Sequence, residues 1–210
     1  MKKIGITLRV ENVPNYAERR DCLDQKWNNI IFNLGCLPVL LPNVEPSYVK
    51  TIIQEMALDA IILSGGNSIS VSGIDQQDIA PERDKFEHAL IYESISQNIP
   101  MIGICRGMQV LNMYFGGELS KVNKHVGTRH SIKANEDFNN LVPEDVNSYH
   151  NFCISNNQIG DGFIAFANDI DGYVEGFIHK THKLAGIMWH PEREEQMLES
   201  DIQLLKKVLL

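Results

Sequence analysis

Gly103-Ile104-Cys105-Arg106-Gly107-Met108-Gln109 sets one cysteine between two glycines. The apolar run Ile99-Pro100-Met101-Ile102 precedes it, and the helix-like run Met108-Gln109-Val110-Leu111-Asn112-Met113-Tyr114-Phe115 follows. The order is strand, sharp turn, helix, with a thiol at the turn. The glycines let the backbone bend tightly without a Cβ clash. The pattern is that of the G-x-S-x-G elbow with sulfur in place of oxygen. A helix start presents free backbone N–H groups and a positive dipole end, which favour thiolate, the reactive form of a cysteine.

Working outward from the elbow, the preceding chain alternates strand and helix. Lys2–Leu8 reads as a first strand. Tyr16–Leu34 has Leu23, Trp27, Ile30, Ile31 and Leu34 at helical spacing, with Gly35 as its stop. Leu37–Leu41 predicts a short buried strand, Tyr48–Leu58 a helix and Asp59–Leu63 a third strand ending in Ser64-Gly65-Gly66-Asn67. Ser68–Ala80 is polar and aperiodic and reads as a loop. Pro81–Gln97 predicts a helix with Pro81 in its first turn. This β-α succession predicts an α/β fold, a doubly wound, mostly parallel sheet with helices on both faces. In such sheets sites gather at the carboxyl ends of strands, where Ser64-Gly65-Gly66 and Cys105 lie. Beyond Gly116-Gly117 short strand-like pieces appear near Asn147–Ile154, Phe163–Ala167, Tyr173–His179 and Leu184–Trp189. They are expected to add antiparallel strands to one edge, with Glu194–Leu210 closing the chain as a helix.

The 210 residues suit a single domain over 1–210. A hydrophobic fraction of 43% and a charged fraction of 22% are ordinary for a globular protein. A net charge of −8 argues against nucleic acid or an anionic membrane as bulk partner, while leaving room for a local basic pocket. No run approaches the ~18 apolar residues of a membrane span. Cys22, Cys36, Cys105 and Cys153 lack CxxC spacing, so neither a zinc site nor a thioredoxin-like pair is indicated. The expected compartment is the cytoplasm, where thiols stay reduced.

A second constellation is Trp189-His190-Pro191-Glu192. The apolar strand before it delivers His190 to a strand end. In extended backbone His190 and Glu192 point the same way. A carboxylate can then orient the imidazole while its other nitrogen faces a nucleophile. Taken singly, each feature has a structural reading. Together, in this order, they point to thiol catalysis.

Gly103–Gln109 with Trp189–Glu192 resembles the class I glutamine amidotransferase superfamily. Within it, the chain is similar to the gamma-glutamyl hydrolase and gamma-glutamyl-GABA hydrolase branch, the peptidase C26-like group. Ser64–Asn67, Ala80-Pro81-Glu82-Arg83-Asp84, Phe115-Gly116-Gly117-Glu118-Leu119 and Val146-Asn147-Ser148-Tyr149-His150 carry the likeness along nearly the whole chain. The resemblance implies a flavodoxin-like sheet, a Cys105–His190–Glu192 triad and an oxyanion hole from the Gly66 and Arg106 N–H groups. It implies Asn67, Gln109, Ser148, Tyr149 and His150 as substrate-pocket residues. The reaction implied is hydrolysis of a gamma-glutamyl amide through a gamma-glutamyl thioester, with no cofactor. His179 and His182 stand three apart without a convincing ligand set around them, so no metal is expected.

Arg9, Tyr16–Asp21, Leu23–Trp27 and Ala80–Asp84 look most like short bacterial members encoded with surface-polysaccharide pathways. One activity in that group is hydrolysis of gamma-glutamyl-CDP-amidate for capsule phosphoramidate biosynthesis. A diphosphate needs cations, and Arg9, Arg19, Arg20 and Arg83, with Lys121, Lys124 and Arg129, are the candidates. The alternatives are a gamma-glutamyl-GABA-type hydrolase, a glutaminase subunit feeding a separate synthetase, and a non-enzymatic binding module. The expected partner is a small gamma-glutamyl substrate, with a homodimer as an option.

Overall fold

The computed structural model describes residues 1–15, 17–70 and 78–210. The chain runs through β1 (Lys3–Thr7), β2 (Arg9–Asn12), β3 (Arg19–Cys22), α1 (Lys26–Asn33), β4 (Leu37–Leu41), α2 (Val49–Met56), β5 (Ala60–Leu63), α3 (Pro81–Gln97), β6 (Met101–Ile104) and α4 (Arg106–Tyr114). It continues through β7 (Ser120–Lys121), β8 (Val126–Ala134), β9 (Asp145–Tyr149), β10 (Phe152–Cys153), β11 (Phe163–Asp169), β12 (Val174–His179), β13 (Leu184–Ile187) and α5 (Glu199–Leu209).

Nine strands form one sheet in the order β4-β1-β5-β6-β13-β12-β11-β8-β9. The first five pair in parallel. Counted among themselves along the chain they run 2-1-3-4-5, the flavodoxin-like order. β12, β11, β8 and β9 extend the β13 edge in antiparallel pairs, as expected. β5, β6 and β13 are buried along their whole lengths, which is why they read as unbroken apolar runs. α1 packs on β4, α4 on β5, β6 and β13, and α5 on β6. Among the described residues no helix is long and apolar enough to cross a membrane.

The sequence reading departs from the structure in four places. The helix expected from Tyr16 begins only at Lys26. Before it, β3 pairs with β2 as an antiparallel hairpin, Arg9 opposite Cys22 and Asn12 opposite Arg19. Glu18–Asp21 is wholly charged and offers a helix no apolar side chain to turn inward; Tyr16 itself lies outside the described residues. Val126–Ala134, which showed no strand signal, is nonetheless β8. Eight of its nine positions are exposed or half-buried, leaving Ile132 as its one buried side chain, so the sequence carries little periodicity there. The closing helix starts at Glu199 rather than Glu194. In the expected Ser68–Ala80 loop, Ser68 forms a bridge to Ile79, while 71–77 lie outside the described residues.

Candidate active site

The elbow sits where β6 meets α4. Cys105 has φ 50° and ψ −102°, a region that costs a non-glycine residue roughly 1–3 kcal/mol. The strain therefore falls on the cysteine itself. The flanking glycines serve close approach instead of the bend expected of them: a Cβ on Gly103 would run into the Gly107 backbone, and one on Gly107 into the Leu63 carbonyl. The Cys105 N–H donates to the Ile187 carbonyl at 2.8 Å, fixing the turn to the end of β13. Burial pushes the Cys153 thiol up to about 11 and raises that of Cys36, so neither offers a thiolate at neutral pH.

His190 follows β13 at the adjoining strand end. Its Nδ1 lies 2.7 Å from Glu192 Oε1, and both residues are buried. The geometry is not the extended one read from sequence. Pro191–Arg193 forms a 3-10 turn, which curls Glu192 back to the imidazole. Burial alone would depress the His190 pKa, yet the neighbouring Cys105 and Glu192 raise it to about 10. His190 Nε2, the nitrogen not engaged by Glu192, is buried with no hydrogen-bond partner among the described residues. Asn147 holds the His190 backbone from both sides: its Oδ1 accepts from His190 N at 3.1 Å, and its Nδ2 donates to His190 O at 2.8 Å.

The third strand end, after β5, is held by a buried charge network. Arg83 donates to the carbonyls of Ser64 (2.7 Å), Gly65 (3.1 Å) and Gly66 (2.6 Å), and its Nε to Glu87 at 2.8 Å. Glu87 also accepts from Thr7 Oγ1 at 2.8 Å and pairs with Arg106, which pairs with Asp84 as well. Burial pulls the Arg83 guanidinium down to about 10, still cationic at neutral pH. Burial works against ionisation of Glu87 too, but Arg106 and Arg83 hold it below the usual carboxylate range. The network ties the Ser64–Gly66 carbonyls toward Arg83. A Cβ on Gly65 would meet His190 Cε1 at 2.7 Å, so this loop also abuts the imidazole.

A cleft of about 210 Å³ opens over Cys105, with Gly66, Arg106, Gln109, Tyr149 and His190 among its lining residues. Asn67 and His150 line it too. Asn67 is taken up in holding the loop, accepting from Val10 N at 2.7 Å and donating to Val10 O at 2.8 Å. Gln109 Nε2 donates to the Phe152 carbonyl at 3.1 Å. Tyr149 stands edge-on to His190, with ring centroids 5.9 Å apart. Ser148 lies behind the lining, fully buried, its hydroxyl donating to the His125 carbonyl at 2.8 Å. His150 is buried, and that burial depresses its pKa to about 3.

A second cleft of about 340 Å³ adjoins the first, and Arg9, Gly66, His190 and Arg193 border both. Of the cations expected to face a phosphate, only Arg9 lines these clefts, and its Nε lies 3.2 Å from Glu11 Oε1. Arg83 is wholly buried, Arg19 and Arg20 pair with Glu82 and Glu18, and Arg129 pairs with Asp145 and Glu194. Lys121 and Lys124 do not line them. Arg193, absent from the sequence reading, stacks over the Tyr149 ring at 4.0 Å. Asn147 and Glu87 were also missed. For Glu87 a signal exists: Arg83, Phe86, Glu87 and Leu90 share one face of α3 at helical spacing, which marks a charge pair buried with the core.

The chain is 33% identical, over 97% of its length and 96% of the relative's, to gamma-glutamyl-CDP-amidate hydrolase of Campylobacter jejuni subsp. jejuni serotype O:2. It is 28% identical to gamma-glutamyl-gamma-aminobutyrate hydrolase of Escherichia coli O157:H7, over 90% and 85% of the two chains. A solved glutamine amidotransferase from Thermotoga maritima superposes with a TM-score of 0.66 at 16% identity, covering 98% of this chain and 83% of that one, which shows a shared fold. The Peptidase C26 model matches residues 3–192. With its cysteine elbow and the strand-end histidine beside it, this chain belongs to the Peptidase C26 family.

Proposed function

We propose that this chain hydrolyses gamma-glutamyl amides, with Cys105 as nucleophile, His190 as acid and base, and Glu192 as the group that orients His190. The observation that carries the reading is the His190 imidazole, held at 2.7 Å by Glu192 and raised to about 10 by Cys105 and Glu192 together. Cys105 thiolate adds to the gamma-carbonyl carbon. The N–H groups of Gly66 and Arg106 receive the developing oxyanion, an interaction whose loss typically costs ~2.7–4 kcal/mol. The C–N bond breaks as His190 imidazolium gives its proton to the leaving nitrogen, which leaves a gamma-glutamyl thioester and neutral His190. His190 then takes a proton from water as its oxygen attacks the thioester. Glutamate leaves, and thiolate and imidazolium are restored.

The preferred substrate in this reading is gamma-glutamyl-CDP-amidate, as in surface-polysaccharide phosphoramidate biosynthesis, and a reducing cytoplasm suits the free thiol. Two adjoining clefts support it. One can take the glutamyl group and the other a large leaving group, with Arg9 and Arg193 at their shared border. Guanidinium groups fork onto phosphate oxygens. The relative from Campylobacter jejuni carries that activity in its name. The test is glutamate release from gamma-glutamyl-CDP-amidate, gamma-glutamyl-GABA and glutamine by the purified protein. A clear kcat/KM preference for the nucleotide-linked amide is expected. Equal values on all three would remove the nucleotide assignment, and no release from any would remove the hydrolase.

A further inference from the structure

Next to His150, which lines the cleft, further histidines and a glutamate converge. His125 precedes β8, His130 lies on β8, His150 follows β9 and Glu175 lies on β12. The His125 ring centroid is 4.8 Å from that of His130 and 4.9 Å from that of His150, and the last two are 6.4 Å apart. Glu175 Oε1 stands 3.5 Å from His130 Nε2 and 3.7 Å from His150 Nε2. One ligand atom from each of His125, His130 and Glu175 lies within 4.8 Å of the others.

Four atoms of this group are buried with no hydrogen-bond partner among the described residues: His125 Nδ1, His130 Nε2, His150 Nε2 and Glu175 Oε1. A buried carboxylate oxygen without a donor is costly unless a cation meets it. His150 Nδ1 is 2.9 Å from the Phe152 carbonyl, so that nitrogen carries the hydrogen and Nε2 turns its lone pair to the Glu175 oxygen. Burial raises the Glu175 pKa, and a proton on Glu175 would let it donate to His150 while accepting from His130. A metal ion is the other way to satisfy the group, and it meets His125, His130 and Glu175 together, as a proton does not.

We infer that His125, His130 and Glu175 form a zinc site next to His150, which lines the active-site cleft. Tetrahedral zinc with bonds of about 2.0–2.2 Å separates its ligand atoms by about 3.4 Å. The His130–Glu175 contact, at 3.5 Å, already lies near that spacing. Two imidazoles and a carboxylate, with a fourth position for water, are a borderline-soft donor set that suits zinc over magnesium or calcium. The supporting contacts are also those of a metal site. His125 Nε2 faces Asp169 Oδ2 at 4.0 Å, itself held by the Tyr173 N–H at 2.8 Å on its other oxygen. In the sheet, β12 and the β8–β9 pair are separated by β11. A metal here ties them across it and steadies β9, whose Asn147 grips His190. The site stands apart from the histidines weighed from sequence, His179 and His182, and does not depend on the identity of the substrate.

The test uses the full chain, stripped with a chelator, incubated with Zn2+, desalted and assayed for bound metal. About one equivalent is expected in the wild type and in Cys105→Ala, which removes the competing Cys105–His190 pair. His130→Ala and Glu175→Gln are expected to weaken binding by more than about a hundredfold, beyond the usual effect of losing an outer contact. His179→Ala is expected to bind as the wild type. Co2+ in place of Zn2+ should give the intense visible bands of a four-coordinate site without a thiolate charge-transfer band. Retention of less than about a tenth of an equivalent by the wild type would overturn the site. So would undiminished binding in His130→Ala, or a thiolate band that disappears in Cys105→Ala. If Glu175→Gln does not fold, the wild-type cobalt spectrum and His130→Ala, altered at a partly exposed side chain, still decide.

Discussion

Replacing Arg83 by lysine keeps a cation but removes the fork that spans Glu87 and the Ser64, Gly65 and Gly66 carbonyls. A lysine ammonium carries its three donors on one nitrogen and cannot reach all of these acceptors together. Losing one or two charge-assisted bonds at ~1.5–3 kcal/mol each gives a stability loss of about 1.5–6 kcal/mol. A domain with about 10 kcal/mol in hand still folds. The separate expectation concerns rate. With its carbonyls released, the 64–66 loop can turn, and the Gly66 N–H leaves the proposed oxyanion position. The cost is then ~2.7–4 kcal/mol, or about 10²–10³ in kcat. The assay is glutamate release per folded enzyme, alongside urea unfolding. Ile53→Ala, a buried site on α2 that should cost about 2–5 kcal/mol, serves as the stability control. If Arg83→Lys keeps kcat within about threefold of the wild type (under ~0.7 kcal/mol of barrier), the network is structural and the loop-aiming argument is wrong.

Glu192→Gln removes a carboxylate that raises the His190 pKa, so the alkaline limb of the kcat/KM profile, where imidazolium is lost, should move toward neutral pH while activity falls without vanishing; an unmoved limb would mean that another group orients the imidazole. Asp201 is buried beside the Trp189 Nε1–H at 2.9 Å, and burial raises its pKa from 3.8 to about 6. Because the folded state holds this proton more tightly, stability should fall as pH rises from about 4 to about 6, by about 3 kcal/mol in full. Asp201→Asn should therefore be the more stable protein above pH ~6, with the difference fading toward pH ~4; urea midpoints across that range check the sign. Gly107→Ala should cost about 1–3 kcal/mol or more, since its Cβ meets the Leu63 carbonyl and neither backbone can yield; an unfolding midpoint equal to the wild type would remove the close-packing account of the elbow.

Which parts of this molecule could be read from the chain depends on how far apart the cooperating residues lie. Cys105 and His190 each announce themselves locally, because an apolar strand ending in a reactive side chain places it at a sheet rim. Glu192 is legible only as a neighbour of His190, and its approach comes from a 3-10 turn where extended chain was expected. The supports are long-range and left little trace. Arg83 reaches a loop 17–19 residues upstream, and Asn147 grips a histidine 43 residues ahead. The hairpin β2–β3 was hidden for a related reason. Its pairing of Arg9–Asn12 with Arg19–Cys22 buries little, so no apolar rhythm marks it, and the stronger rhythm from Leu23 onward extended the helix reading backward over it. The same holds for His125, His130 and Glu175, whose spacing matches no local ligand motif. Only the antiparallel edge, formed by the strands least regular in sequence, brings them to one point. The proposed reacting groups are thus set by short segments and the aim of those groups by the sheet as a whole. Substitutions at Arg83 and Asn147 should consequently alter rate through geometry while leaving every reacting atom in place.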